Sequence, residues 1–363
     1  MTRAPVFTII TDTYYRPAYL RIAVAAMRRQ TYDNLEIILV NNGATPETVE
    51  YLHEVAARDS RVKLVHFSDN QYSPDDPFKM LFTCGNAALK ISTGDFVWYQ
   101  SDDDWMADDY AEKMVRLFEE NSRCTTAAGR VICVDADGKA LEEARMSPRP
   151  RYMPGHELAM SHLRGHSHLG APGTIFTIRR EALIRAGGFH RALDESHLYG
   201  IVPFGDTGFD PTAVFHWRRH GQQLNTYLTS NGCVGFREVM SLLADWRLED
   251  RWRVFGPEIA VEAGARMRNI QIDSAAKWFA VNWAAGRYAA ARRIVADAGR
   301  YARFWRKAPG CLWMSRGQLV ERFKTTRRIA SQPPSVSGAP ATGAAGAGAC
   351  EKSPVSTAGP CRF

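Results

Sequence analysis

Residues 94–105, GDFVWYQSDDDW, join a short apolar run to an acidic one. The run FVWY at residues 96–99 is too short for a helix and predicts a strand that is buried on both faces. Three consecutive carboxylates follow it, Asp102, Asp103 and Asp104. In an open α/β sheet, ligands bind beyond the carboxyl ends of the strands. The position of the three acids therefore favours a binding site.

Three adjacent anions repel one another, and this repulsion raises their pKa values unless a cation lies among them. Carboxylate oxygens suit Mg²⁺ or Mn²⁺, and Mg²⁺ is commonly held by one or two carboxylates together with substrate phosphates. The triplet thus indicates a metal site that a nucleotide diphosphate completes. An alternative is that the acids cap the helix predicted over residues 109–121, although Asp108 or Asp109 could cap it alone.

The composition is that of an ordinary globular protein. Of the 363 residues, 45% are hydrophobic, and no apolar run approaches the roughly 20 residues that a membrane-spanning helix needs. The first strand-like segment, residues 6–11, begins too early for a secretory signal, and the seven cysteines show no CxxC spacing. These features predict a cytoplasmic protein with free thiols.

The formal net charge of +7 is unevenly distributed. Residues 287–328 contain twelve Lys or Arg and two acids, so this segment carries +10 and the rest of the chain about −3. The surrounding region, residues 235–330, is helical in pattern and rich in Trp, which suits either a cap on the preceding domain or contact with an anionic membrane surface. No motif supports nucleic-acid binding. Residues 331–363 are mostly Ala, Gly, Ser and Pro and are predicted to form a disordered tail.

Strand and helix patterns alternate in the first part of the chain. Apolar runs at residues 6–11, 35–40 and 62–67 are each followed by a helical pattern. This alternation predicts βαβ units, and hence an α/β domain over residues 1–234 with a mostly parallel, Rossmann-type sheet flanked by helices.

Four short motifs lie at or near the predicted strand ends: TYYRP (residues 13–17), NNGAT (41–45), NAALKISTGD (86–95) and SDDDW (101–105). Together they resemble the motifs of the inverting family 2 glycosyltransferases, which have the GT-A fold. The acidic motif corresponds to the DxD-type motif of that family. The resemblance covers roughly the first 110 residues.

The resemblance implies a role for each matching residue. Asp103 would coordinate the divalent cation, Mg²⁺ or Mn²⁺, that bridges the donor diphosphate; Asp102 would bind the ribose hydroxyls or share the metal, and Asp104 is a further candidate ligand. Asn42 stands where the family usually has an aspartate that contacts the base, and an amide offers both a donor and an acceptor there. The other residues implied in substrate binding are Asp12, Thr13, Tyr15, Arg16 and Asn86.

The family also places an acidic pair at the start of a helix after a GGF motif, here residues 187–189, and the aspartate of the pair removes the proton of the acceptor hydroxyl. Counting back from the RHG sequence at residues 219–221, which resembles the end of that helix, gives Asp210 as this base and Asp206 as the second candidate. Asp210 precedes Pro211, so it could instead be only the cap of the helix.

The chain is therefore expected to be an inverting glycosyltransferase that moves a sugar from a nucleotide-diphosphate donor to a hydroxyl of a saccharide or lipid-linked acceptor. Its expected setting is cell-surface polysaccharide or glycolipid synthesis, as a peripheral protein on the cytoplasmic face of the membrane. A nucleotidyltransferase is an alternative, but it would normally need a Gly-rich phosphate loop, and residues 11–17 contain no glycine. A non-catalytic module that binds nucleotide sugar or membrane is another, favoured by Phe209 in place of the usual acid.

Overall fold

The computed structural model describes residues 3–73, 76, 78–143, 150–166, 175–221, 223, 231–232 and 235–317. The predicted tail at residues 331–363 lies outside these residues, as does the predicted helical region beyond residue 317.

The described part of the chain contains ten strands and twelve α-helices. The strands are β1 (Phe7–Thr13), β2 (Leu35–Asn42), β3 (Val62–Phe67), β4 (Phe96–Tyr99), β5 (Trp105–Met106), β6 (Cys124–Val134), β7 (Ala140–Glu143), β8 (Tyr152–Pro154), β9 (Thr177–Arg179) and β10 (Asp206–Arg218). The first helices are α1 (Pro17–Arg28), α2 (Pro46–Arg58), α3 (Lys79–Ile91), α4 (Tyr110–Glu120), α5 (Gly155–Leu163), α6 (Arg180–Ala186) and α7 (Leu193–Gly200). The later helices are α8 (Phe236–Asp245), α9 (Leu248–Trp252), α10 (Pro257–Ala284), α11 (Tyr288–Ala298) and α12 (Ala302–Met314).

The strands belong to one sheet in the order β3-β2-β1-β4-β9-β6-β10-β5, with β7 paired to β6 and β8 paired to β10. Strands β1 to β4 run parallel to one another. Strand β9 is antiparallel to β4 and β6, whereas β10 is parallel to β6. The predicted α/β fold with a largely parallel sheet is confirmed. The segments that follow β1, β2 and β4 therefore meet at one edge of the sheet.

Strand β4 is buried along its whole length, as the run FVWY predicts. Helix α4 covers one face of it: Phe96 stacks on Phe118 at 4.2 Å between ring centroids, and Trp98 stacks on Tyr110 at 4.5 Å. Between the acid triplet and α4 lies the short strand β5, which pairs with β10. Because β5 separates them, the triplet does not cap this helix.

The prediction of a helix after Asp210 is wrong, because residues 206–218 form strand β10. The segment contains Thr, Val, Phe and Trp, residue types that favour a pleated, half-buried surface. Pro211 falls where the register between β10 and β6 is irregular, between Asp210 and Val214. Such an irregularity tolerates a residue that has no N–H to donate.

The later helices share a core with the α/β domain. Buried side chains of α8, α9 and α10, among them Leu242 and Trp252, belong to the same hydrophobic cluster as the strands. A second cluster joins α10 to α12 through Phe279 and Phe304. The division of the chain at residue 235 stays a prediction. Within the described ranges, each helix is too short or too polar to cross a bilayer.

Candidate active site

The acid triplet lies where the ends of β1, β4 and β10 meet. Thr13, the last residue of β1, donates a hydrogen bond from Oγ1 to Asp102 Oδ2 at 2.8 Å. The backbone N–H of Arg218, the last residue of β10, donates to Asp104 Oδ1 at 2.8 Å. All three carboxylate residues, including Asp103, are buried. Three strand ends thus enclose three acidic side chains.

Arg16 pairs with two of the three acids. Its Nη2 donates to Asp102 Oδ1 and its Nη1 donates to Asp103 Oδ2, and the arginine side chain is 18% exposed. Burial raises the pKa of Asp102. Burial also acts to raise the pKa of Asp103, but the hydrogen bond from His220 and the charge of Arg16 outweigh it, so the net shift is downward. The TYYRP motif therefore supplies the counter-ion of the SDDDW motif.

His220 is a site residue that the sequence motifs did not reveal. Its Nε2 lies 2.9 Å from Asp103 Oδ2, and its ring lies 4.8 Å from the ring of Tyr19. It follows the last residue of β10 by two positions, so the strand brings it to the acids. His220 belongs to the RHG sequence at residues 219–221. Because that sequence resembles the end of a helix, it did not indicate a site residue.

Asp104 has a structural partner in Arg218. The backbone N–H of Arg218 donates to its carboxylate, while Nε of the same arginine donates to the backbone oxygen of Asp103 at 2.9 Å. The guanidinium of Arg218 also lies over the rings of Tyr19 and Trp105, 4.5 and 4.7 Å from their centroids. This carboxylate thus fastens β10 to the end of β4, and its role as a metal ligand stays a prediction.

The described residues contain no group of three or more His, Cys, Asp or Glu side chains arranged to hold a metal ion. One carboxylate and one imidazole do meet: Nε2 of His220 lies 2.9 Å from Oδ2 of Asp103. Mg²⁺ usually takes few ligands from a protein and completes its coordination with phosphate oxygens and water. The donor set therefore fits a divalent ion that binds together with a diphosphate.

Asp12 and Tyr15 flank this cluster on β1 and the turn after it. Asp12 is buried and accepts a hydrogen bond from the hydroxyl of Tyr99, and burial raises the pKa of its carboxyl. Tyr15 is exposed and makes an edge-to-face contact with Tyr14 at 5.4 Å. The two exposed tyrosines thus immediately precede Arg16 in the chain.

Asn42 is the last residue of β2 and is buried. Its Oδ1 accepts the backbone N–H of Gln71 at 2.8 Å. This bond fixes the orientation of the amide, since a backbone N–H can only donate. Nδ2 is buried and has no hydrogen-bond partner among the described residues. Where an aspartate would offer only acceptors, this position therefore offers an unpaired donor.

The sequence model for glycosyl transferase family 2 matches residues 8–187, which include β1 to β4, Arg16 and the acid triplet. Residues 8–187 belong to glycosyltransferase family 2.

Relatives of this family 2 domain are known from several bacteria. An uncharacterised glycosyltransferase of Haemophilus influenzae is 26% identical over 41% of this chain and 56% of its own length. EpsH of Bacillus subtilis is 31% identical over 31% of this chain and 30% of its own length. The chain thus matches about half or less of the length of these relatives. A mannosyltransferase of Pyrobaculum calidifontis, solved in complex with GDP-mannose and Mn²⁺, has a TM-score of 0.50 at 16% identity, covering 88% of both chains. This likeness shows a shared GT-A fold.

The GGF motif lies beside the end of β4. Asn86 in α3 donates to the backbone oxygen of Phe189 and accepts from its backbone N–H, both at 2.9 Å. The ring of Phe189 lies 5.2 Å from that of Tyr99, whose hydroxyl donates to Asp12. Asn86, which the resemblance implied in substrate binding, thus holds the GGF loop beside the end of β4.

An acidic pair follows the GGF motif at the start of a helix. The pair is Asp194 and Glu195, in the first turn of α7. Counting back from the RHG sequence did not point to this pair, although it lies close behind the GGF motif in the sequence. Glu195 lies 3.4 Å from Nε2 of Gln271. Burial, with repulsion from Asp194, raises the pKa of Glu195 to about 7.

The two bases predicted from the sequence lie away from the cluster. Asp210 pairs with Gly129 of β6 and Arg218 pairs with Val134, so about 16 Å of strand separates Asp210 from the acids. Asp206 pairs with the first residue of β6 and lies further away still. The expected position was wrong because it assumed a helix, which would have folded these residues back over the site.

Replacing Arg16 by Gln should lower the free energy of unfolding by about 3 kcal/mol, because two buried carboxylates lose their counter-ion. Arg29→Gln is the matched control. Arg29 pairs with Asp108 at 3.4 Å where both side chains are exposed, so its loss should cost less than about 1 kcal/mol. Urea unfolding followed by circular dichroism, in buffer with a chelator, gives both values. Equal losses in the two variants would contradict this role of Arg16.

Proposed function

We propose that this chain is an inverting glycosyltransferase that moves a sugar from a nucleotide-diphosphate donor to a hydroxyl group of an acceptor. The observation that carries the proposal is the meeting of Asp103, Arg16 and His220 at the carboxyl edge of the sheet of a family 2 domain. A metal-bound diphosphate requires both signs of charge in one place. This cluster supplies buried carboxylates together with a guanidinium.

Asp103 and His220 are the residues that would hold Mg²⁺ or Mn²⁺, and Asp102 would support them from the other side of Arg16. When bound, the ion stabilises the negative charge that develops on the leaving diphosphate. The mannosyltransferase of similar fold was solved with Mn²⁺ and a nucleotide sugar, which supports this choice of ion. Arg16 can serve the same leaving group, because a guanidinium forms paired hydrogen bonds with phosphate as well as with carboxylate.

Glu195 is the residue to which we assign the role of general base, with Asp194 as the second candidate. The acceptor oxygen forms a bond to the anomeric carbon while the bond from that carbon to the diphosphate oxygen breaks, and the hydroxyl proton passes to the base. A carboxylate with a pKa of about 7 accepts a proton more readily than an ordinary glutamate and is still partly ionised at neutral pH. Four residues separate the pair from the GGF loop, which Asn86 fastens beside the end of β4.

The proposed acceptor is a saccharide or a lipid-linked saccharide, and the later helices suit contact with an anionic membrane surface. Trp305 and Trp313 are 50% and 68% exposed. The rings of Trp305 and Trp283 lie 6.3 and 5.8 Å from that of Phe279 and form one aromatic patch with it. Exposed aromatic residues with basic neighbours are typical of interfacial binding. The basic residues of the described range 287–317 are Arg287, Arg292, Arg293, Arg300, Arg303, Arg306, Lys307 and Arg316.

Purified protein should be stabilised by one nucleoside diphosphate out of UDP, dTDP, GDP and CDP, and only with Mn²⁺ or Mg²⁺ present. At 100 times the dissociation constant, the ligand should add about 2.7 kcal/mol to the free energy of unfolding. Asp103→Asn should abolish this shift and sugar transfer, while Asp108→Asn, an exposed acid of the same loop region, should keep both. A thermal-shift screen measures the binding. Binding without any turnover of nucleotide sugars would instead favour the non-catalytic module.

Glu195→Gln should lower kcat by at least about a hundredfold, because the acceptor proton loses its base. In the unchanged protein, kcat should rise with pH through about 7, since the base works only when it is deprotonated. The control is Glu181→Gln, which changes an exposed acid in the first turn of α6. The stability of Glu195→Gln at pH 7.5 should equal or exceed that of the unchanged protein, because burial disfavours the charged form of this residue. Full activity in Glu195→Gln, with activity lost in Asp194→Asn, would transfer the role to Asp194.

Vesicles that contain anionic phospholipid should retain the protein at low salt, and retention should weaken at 0.5 M salt as the charges are screened. The double change Trp313→Ala and Met314→Ala should weaken retention several-fold, since both side chains are exposed apolar contacts. Ile184→Ala, an exposed apolar residue of α6, is the control and should bind as the unchanged protein does. Co-sedimentation measures the effect. Equal retention by neutral vesicles would contradict the electrostatic part of the proposal.

A further inference from the structure

A cavity of about 310 Å³ lies at the end of the sheet opposite the acid triplet. It is bounded by Thr125 in β6, Arg185 in α6, Gly200 at the end of α7, Phe204 and Arg251 in α9. Thr125 is nine residues before the end of β6, which places the cavity about 30 Å along the strand from the acids. A ligand bound there would therefore not touch the proposed donor site.

Arg251 supplies an uncompensated positive charge to this cavity. Its guanidinium lies between two aromatic rings, 5.5 Å from the centroid of Phe204 and 5.4 Å from that of Trp246. Among the described residues it has no acidic partner, whereas its neighbours Arg247 and Arg253 both pair with Asp250. Burial lowers the pKa of Arg251. The two rings hold the guanidinium in place, and an anion in the cavity would offset the cost of its desolvation.

Thr125 supplies a hydrogen-bond donor that is also unused. Strand β10 pairs Asp206 with Cys124 and Thr207 with Thr126, so the register passes over Thr125 and leaves it in a bulge. The residue is 7% exposed, and its Oγ1 is buried with no hydrogen-bond partner among the described residues. A buried hydroxyl without a partner is unfavourable, and an acceptor atom in the cavity would remove that cost.

We propose that this cavity is a second binding site, for a phosphate monoester whose organic group is apolar. The guanidinium groups of Arg251 and Arg185 and the hydroxyl of Thr125 offer donors to several oxygens, which suits the three terminal oxygens of a phosphate ester. The apolar part of the ligand would lie against Ala182, Ile201 and Phe204. Arg185 already pairs with the exposed Glu181 at 2.8 Å, so Arg251 provides the main positive charge.

Isothermal titration calorimetry on the full chain tests the proposal with phenyl phosphate as the probe. Phenyl phosphate should bind the unchanged protein. Its affinity for the Arg251→Gln variant should be at least tenfold lower. Arg253→Gln is the matched control, because Arg253 lies two residues away and has an exposed side chain. The affinity of this variant for phenyl phosphate should equal that of the unchanged protein. Benzyl alcohol, which has no charge, should not bind, and inorganic phosphate should bind more weakly than phenyl phosphate. Equal affinity in Arg251→Gln, or no binding to the unchanged protein at millimolar probe, would overturn the site.

Two further variants separate this site from the donor site and from a folding defect. Asp103→Asn should bind phenyl phosphate normally, and loss of binding in that variant would place the phosphate among the acids and overturn the proposal. Thr125→Val should fold with unchanged or higher stability, because it removes a hydroxyl that has no partner. The same change should weaken phenyl phosphate binding by at least threefold. Normal affinity in a folded Thr125→Val protein would show that the hydroxyl does not take part.

Discussion

The bonding of one guanidinium to two buried carboxylates holds the carboxyl edge of the sheet together. Arg16 follows β1 and Asp102 and Asp103 follow β4, so the pairing joins the ends of two adjacent parallel strands. Buried like charges without a counter-ion would have to be protonated or exposed. A guanidinium can bond phosphate as well as carboxylate, so Arg16 could also pair with a phosphate group of the proposed donor.

Strand β10 completes this edge from the other side of the sheet. Its last residue, Arg218, is buried between the rings of Tyr19 and Trp105 and bonds both the backbone of Asp103 and the carboxylate of Asp104. One acid of the triplet thus serves to anchor a strand. This anchoring places the imidazole that follows β10 against the second acid. In the cluster, Asp104 thus has a structural contact, whereas Asp103 is the acid to which we assign metal binding.

Helix α7 is shared by the proposed base and the proposed second site. Its first turn carries the acidic pair beside the GGF loop, and its last residue, Gly200, lines the distant cavity. A helix of eight residues is about 12 Å long and moves as one body. A ligand in the cavity would therefore contact the same helix that carries the proposed base.

Local residue patterns are enough to predict the alternation of strands and helices, the burial of β4 and the position of the acids at a strand end. These features depend on hydrophobic period and on residues close together in the chain. The tertiary structure alone decided that residues 206–218 form a strand, that Asp104 anchors Arg218, and that His220 faces Asp103. His220 and Asp103 are 117 positions apart, and no local pattern records which strand lies beside another. The prediction of a helix at Asp210 was wrong for the same reason. Proline after aspartate is typical of a helix start, but pairing with β6 outweighs that local preference.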